Sequence, residues 1–103
     1  MAQDRHIYGE VNTKTDLKHV FTKIRHDIDQ ASSRPALTEL YKRAGYLVTL
    51  SHAPSWKKKF GDEAQALRAL AKEEFASTAR HLNHRAKQVG VESDYDEQWG
   101  DGQ

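Results

Sequence analysis

The chain has 103 residues, of which 37% are hydrophobic and 30% are charged. A domain of this size buries roughly 65% of its unfolded surface, so we expect a small core and no deep substrate cavity. There is no cysteine, which excludes disulfides and thiolate metal ligands. An N-terminal signal sequence and an apolar run long enough to cross a membrane are also lacking, so we expect a cytoplasmic protein.

Charge is unevenly distributed along the chain. All 16 lysines and arginines lie at or before Lys87, whereas five of the 15 acidic residues follow Gly90. This composition predicts a disordered acidic tail, although Tyr95 and Trp99 could make it a short docking segment. The predicted organisation is an N-terminal arm (residues 1–14), a helical bundle (15–90) and the acidic tail (91–103).

The first helix is predicted over about residues 16–32. Thr15 is a plausible N-cap, and Asp16 in the first turn favours the helix dipole. Apolar residues recur at the three- and four-residue spacing that forms one helical face: Leu17, Val20, Phe21, Ile24, Ile28 and Ala31.

The second helix is predicted to follow the sequence SSRPA and to end near His52. Ser32 or Ser33 can cap it, and Pro35 is tolerated in a first turn. Gly45 disfavours a helix by about 1 kcal/mol relative to alanine, so we expect it to mark a close helix approach. The apolar arc is wide, which indicates contacts on two sides of this helix.

The third helix is predicted to run to Val89 and to stop at Gly90. At 1.5 Å per residue it is roughly 40 Å long, against roughly 25 Å for the other two. Its last two turns, with Leu82 and Ala86, should therefore project beyond the bundle and be covered by the tail or by a second copy.

These patterns predict an all-α fold, an antiparallel three-helix bundle with a long C-terminal helix that dimerises through the second and third helices. The function expected first is a small non-catalytic regulatory or adaptor protein acting through helix-mediated protein interaction, without a cofactor or catalytic residue. Spare apolar surface places four residues at the interface: Tyr46, Leu50, Leu70 and Leu82.

The basic turn WKKKF supports an alternative function. Lys57, Lys58 and Lys59 would attract a polyanion such as nucleic acid, and the ring of Trp56 could stack on a base. The acidic tail would then act as an internal competitor. The simpler interpretation is a soluble corner in which Trp56 and Phe60 close the end of the core.

A third hypothesis concerns His26 in the first helix. The spacing of Phe21, His26, Asp27 and Ile28 resembles the phosphoacceptor box of sensor histidine kinases, in which an exposed histidine precedes an acidic residue. That resemblance implies histidine phosphotransfer through His26. The residues that follow, beginning with Asp29, depart from the family pattern, and a solvated histidine on a helix surface explains the same residues.

The histidines do not predict a metal site. His81 and His84 are three residues apart and could share an ion, with Glu74 two turns earlier on a similar flank. A closed site needs three or four convergent ligands, and the repeated Glu-x-x-His pattern of di-iron bundles is missing.

Overall fold

The computed structural model describes residues 11–100, which form an all-α bundle. None of the helices in this part of the chain is long and apolar enough to cross a membrane. The elements in chain order are α1 (Lys14–Gln30), α2 (Arg34–Ser51), the short α3 (Pro54–Phe60), a 3-10 turn (Gly61–Glu63) and α4 (Ala64–Val89).

Both of the first two helices begin at a side-chain cap. Thr13 forms a capping box with Asp16, in which each side chain bonds the other residue's backbone N–H. The first cap is thus two residues earlier than the predicted Thr15. Ser33 caps α2 by accepting from the backbone N–H of Ala36, one of the two predicted alternatives.

The three long helices run up, down and up around one core. Arg25 in α1 bonds Glu74 in α4 at 3.0 Å, and Arg68 near the start of α4 donates to the carbonyl of Ser51 at the end of α2. The predicted packing of three helices with a long last one is confirmed. Side chains with no exposed surface include Leu17, Phe21, Ile24, Ile28, Leu37 and Leu82.

The end of α4 does not project beyond the bundle as the sequence predicts, although its apolar residues are covered, as that prediction requires. Leu82 and Ala86 are both fully buried. Arg85 donates to the carbonyl of Ala31 at 2.8 Å, so α4 remains beside the α1–α2 connection almost to its end. Part of the additional length of α4 lies at its N-terminal end, where α3 contacts it. Within one chain, the last turns of α4 are therefore covered.

Gly90 ends α4 as predicted, in a left-handed conformation with φ 77°. The backbone N–H of Val91 bonds the carbonyl of Ala86 at 2.9 Å, which closes the helix end. A side chain at Gly90 would be strained in this conformation. The turn directs the following residues back along the bundle.

Residues 91–100, here called the strap, lie against α2 and α4. They form no regular element, yet Tyr95 is buried with 6% of its surface exposed. In these ten residues, specific bonds to the helices take the place of regular secondary structure. Residues 101–103 of the predicted tail and residues 1–10 of the predicted arm lie outside the described residues.

Candidate functional site

The candidate site is the channel between α2 and α4, which the strap fills at one end. Tyr95 is its first anchor. Asn83 on α4 bonds the Tyr95 main chain twice, accepting from its N–H at 2.8 Å and donating to its carbonyl at 2.8 Å. The phenol oxygen lies 2.8 Å from the hydroxyl of Thr38 on α2. Both helices therefore hold the same residue of the strap.

Arg34 in the first turn of α2 holds the acidic part of the strap. Its guanidinium donates to the Glu92 carbonyl, forms an ion pair with Asp94 at 2.8 Å and lies 4.4 Å from the ring centre of Tyr95. The hydrogen bond to Asp94 raises the pKa of Arg34. A second ion pair joins Arg80 to Glu97 at 2.9 Å.

Trp99 is the second anchor, and it lies directly on the backbone of α2 at Gly45. A Cβ atom built on Gly45 would overlap the indole ring. The indole N–H donates to the hydroxyl of Thr49 at 2.9 Å, one turn further along α2. The close approach expected at Gly45 is therefore made by the strap's tryptophan, and glycine is required there because the ring occupies the place of a side chain.

Four aromatic rings join the strap to the core. The ring centre of Tyr41 on α2 lies 5.3 Å from Phe75, 5.0 Å from Tyr95 and 5.4 Å from Trp99. These tilted and edge-on contacts are the arrangements that aromatic pairs favour. Burial raises the pKa of the Tyr41 phenol, and the nearby Asp96 carboxylate raises it further.

Beyond Trp99 the channel between α2 and α4 is not filled by any of residues 11–100, and we call this open part the groove. Its volume is about 770 Å³. Val48, Phe75 and Trp99 provide its apolar lining. The exposed residues at its edge include both basic and acidic side chains, namely His52, Lys72, Glu73 and Glu97. An apolar surface with a polar rim suits a small apolar group or an extended peptide side chain.

The predicted interface residues lie on two helices, Tyr46 and Leu50 on α2 and Leu70 and Leu82 on α4. Leu82 is fully buried in the core, which corrects its assignment as a contact residue. Leu50 and Leu70 are partly buried and pack against the core. Leu70 lies one turn before Glu74, whose carboxylate faces α1, while Tyr46 and Leu50 are on α2. None of these residues lines the groove.

The basic turn is a helix, α3, and it does not form the predicted stacking site. Trp56 is buried with 3% of its surface exposed, and its ring packs against Phe60 at 4.7 Å, so it cannot stack on a base. The three lysines, Lys57, Lys58 and Lys59, are exposed. Consecutive helical residues point about 100° apart, so these charges do not share one face.

His26 is exposed on α1, and phosphotransfer through it stays a prediction. Another histidine, His81 on α4, contacts a carboxylate, with its Nε2 2.7 Å from Asp29 on α1. His84 lies near Gln88 rather than near this pair. Among residues 11–100, no group of three or more histidine and acidic side chains could hold a metal ion.

Comparison of the chain with protein-family models, curated proteins and solved structures finds no match. The site must therefore be interpreted from its own geometry.

The sequence pattern does not mark Asn83, Thr38 and Arg34 as functional residues. Each is a polar residue on a helix surface, and periodicity alone gives no reason to distinguish it from solvated neighbours. Two signals did point toward this site: a glycine inside a strongly apolar helix, and a tyrosine and a tryptophan four residues apart in an acidic segment.

Proposed function

We propose that the protein is a small, non-catalytic regulatory or adaptor protein that acts through protein–protein interaction, with the groove as its contact surface. The observation that carries the proposal is the groove itself, about 770 Å³ of open space between α2 and α4 with an apolar lining and a charged edge. Surfaces of this kind commonly mark interaction sites on small proteins.

The strap supports a peptide segment as the class of ligand. It shows that the same two helices accept an extended, irregular chain and bond to its main chain as well as to its side chains. The groove continues directly from Trp99, so a segment lying there would meet the same kind of surface.

The homodimer predicted from the sequence is a special case of this proposal, in which the segment comes from a second copy. The homodimer is tested by measuring the molar mass by light scattering over a wide concentration range, at low and at high salt. A persistent dimer that is lost on substitution in the groove supports self-association there. A cytoplasmic location stays a prediction as well.

Two exposed alanines on α4 provide a matched test. Ala69 lines the groove, whereas Ala66, three residues earlier, does not. A photo-crosslinking amino acid at each position, introduced in the source cells, would capture what contacts each surface. We expect a specific protein adduct at position 69 and none at position 66.

The captured partner would then be purified and titrated against Ala69→Arg and Ala66→Arg. We expect Ala69→Arg to weaken binding by about tenfold or more, which is about 1.4 kcal/mol, and Ala66→Arg to leave it unchanged. Equal effects of the two arginines, with both variants folded, would refute the groove as the contact surface.

A further inference from the structure

We propose that the strap is a built-in competitor for the partner, and that the partner segment is an extended acidic peptide with a tyrosine and a tryptophan four residues apart. This inference rests on the proposed function and deepens it. The strap shows which chemistry the α2–α4 channel accepts, because its own ten residues already lie there.

The tyrosine anchor recognises an extended main chain as well as a side chain. The amide of Asn83 pairs with both the N–H and the carbonyl of Tyr95. Such a paired contact is available to any extended segment, whichever chain it belongs to. The phenol adds a bond to Thr38 that a phenylalanine would lack.

The tryptophan anchor is shaped by the bare backbone at Gly45. The flat ring lies where any larger residue of α2 would place a side chain, and Thr49 accepts its N–H. An aliphatic side chain could not make that hydrogen bond. The site at Gly45 and Thr49 therefore selects tryptophan by its shape and by one hydrogen bond.

The basic residues that contact the strap indicate that the partner segment is acidic. The strap carries four acidic residues and no lysine or arginine, and Arg34 and Arg80 form ion pairs with it. Further along the channel, Lys72 and His52 stand at the edge of the groove. Glu73 lines the groove beside Lys72, so the acidic character of the partner rests on the two arginines, Arg34 and Arg80.

The connection to α4 allows the strap to leave without disrupting the helices. The strap is joined to α4 through the exposed Gly90, which adopts its left-handed conformation without steric cost. The ion pair side chains remain partly exposed, at 37% and 54% for Arg34 and Asp94. Water can therefore replace these contacts on release. The packing of α1 against α4 involves none of them.

The test uses full-length protein and a fluorescein-labelled synthetic peptide, VESDYDEQWG, which is the strap itself. One variant, Tyr95→Ala with Trp99→Ala, lacks both anchors and should leave the channel open. Adding Gly45→Ala to that variant places a methyl group in the space that the Trp99 ring occupies in the wild type. A peptide of the same composition in scrambled order is the control for spacing, and circular dichroism checks that each variant folds.

We expect the anchor-free variant to bind the peptide at least about tenfold more tightly than the wild type, by fluorescence anisotropy. The added Gly45→Ala should abolish that gain, and the scrambled peptide should bind neither protein. If the double variant does not fold alone, Trp99→Ala is tested with the same expected order. Equal binding by the wild type and the open variant would show that the strap does not compete for the channel, and would overturn the proposal.

Mixing the wild type with the anchor-free variant separates a second copy from a different partner. A 1:1 complex by light scattering would identify the occupant as the strap of another copy and overturn the assignment to a partner. No complex, together with peptide binding, supports it. A failure of peptide binding while Ala69→Arg still disrupts partner binding would refute only this inference and leave the proposed function in place.

Discussion

The two sides of α4 are covered by different kinds of structure. On one side α1 packs as a helix whose apolar residues Leu17, Phe21, Ile24 and Ile28 have no exposed surface. On the other side the strap packs as irregular chain, fixed by two aromatic anchors and by hydrogen bonds to α2 and α4. The first contact depends on repeated apolar burial, whereas the second depends on a few specific groups.

This difference has consequences for stability and for binding. Removing one α1 residue creates a cavity that many neighbours share. Removing one strap group should instead loosen only the segment that contains it, because the three helices keep their mutual contacts. The following substitutions test that comparison in order of decreasing effect.

Phe21→Ala should have the largest effect, a loss of about 4 kcal/mol in the free energy of unfolding, because it empties a fully buried site in the helical core. Urea unfolding monitored by circular dichroism measures it. Phe21→Leu is the matched control and should cost about 1 kcal/mol. A loss for Phe21→Ala no greater than for strap substitutions would contradict the comparison.

Tyr95→Ala should cost about 3 kcal/mol, because it removes the buried anchor of the strap. Tyr95→Phe retains the ring but loses the bond to Thr38, so we expect a loss of about 1 kcal/mol. The amide hydrogen exchange of both variants should increase in the strap and remain unchanged in α1. Faster exchange throughout α1 would show that loosening the strap also weakens the packing of α1 on α4.

Asn83→Ala should cost about 2 kcal/mol, since two hydrogen bonds to the Tyr95 main chain are lost at about 1 kcal/mol each. Asn83→Asp retains the acceptor for the Tyr95 N–H but loses the donor. We therefore expect it to be less destabilising than Asn83→Ala when both are measured by urea unfolding. No difference from the wild type would mean that water replaces these bonds fully.

Gly45→Ala and Trp99→Ala should be coupled by about 1.5 kcal/mol in a double-mutant cycle. In the wild type the added methyl displaces the indole ring. Once Trp99 is alanine, Gly45→Ala should stabilise α2 by up to about 1 kcal/mol, because alanine is the better helix former. Additive effects of the two substitutions would place the ring elsewhere.

The smallest expected effect is a pH dependence at Tyr41. Its pKa is raised in the folded protein, so its contribution to stability is complete below the ordinary tyrosine pKa of about 10 and is lost as pH rises through the raised value. Ultraviolet absorbance titration, compared with Tyr41→Phe, isolates this phenol. A pKa at or below the ordinary value would contradict its burial.

Much of the fold could be predicted from the sequence, because helices depend on local spacing. The apolar residues of α1, the cap at Ser33 and the stop at Gly90 follow from side chains a few positions apart. Tyr95, Trp99 and Gly45 could be singled out individually. The contact between them in the folded protein could not be predicted, since Gly45 and Trp99 are 54 positions apart and no local pattern connects them.

The same limit applies at Leu82 and Trp56. Each lies on a sequence segment with spare apolar or basic character, and helical wheels cannot show what covers such a segment. The bundle geometry decided both cases, because the α1–α2 connection reaches the end of α4 and α3 folds against its start.

By itself, the sequence determined an all-α chain with three main helices and an acidic, aromatic C-terminal segment, since helix periodicity and charge are local properties. The tertiary structure alone decided that this segment lies in the channel between α2 and α4 and that a groove remains open beside Trp99. The physical reason is that such contacts depend on side chains brought together from distant positions, whose relative placement is fixed only when the helices pack.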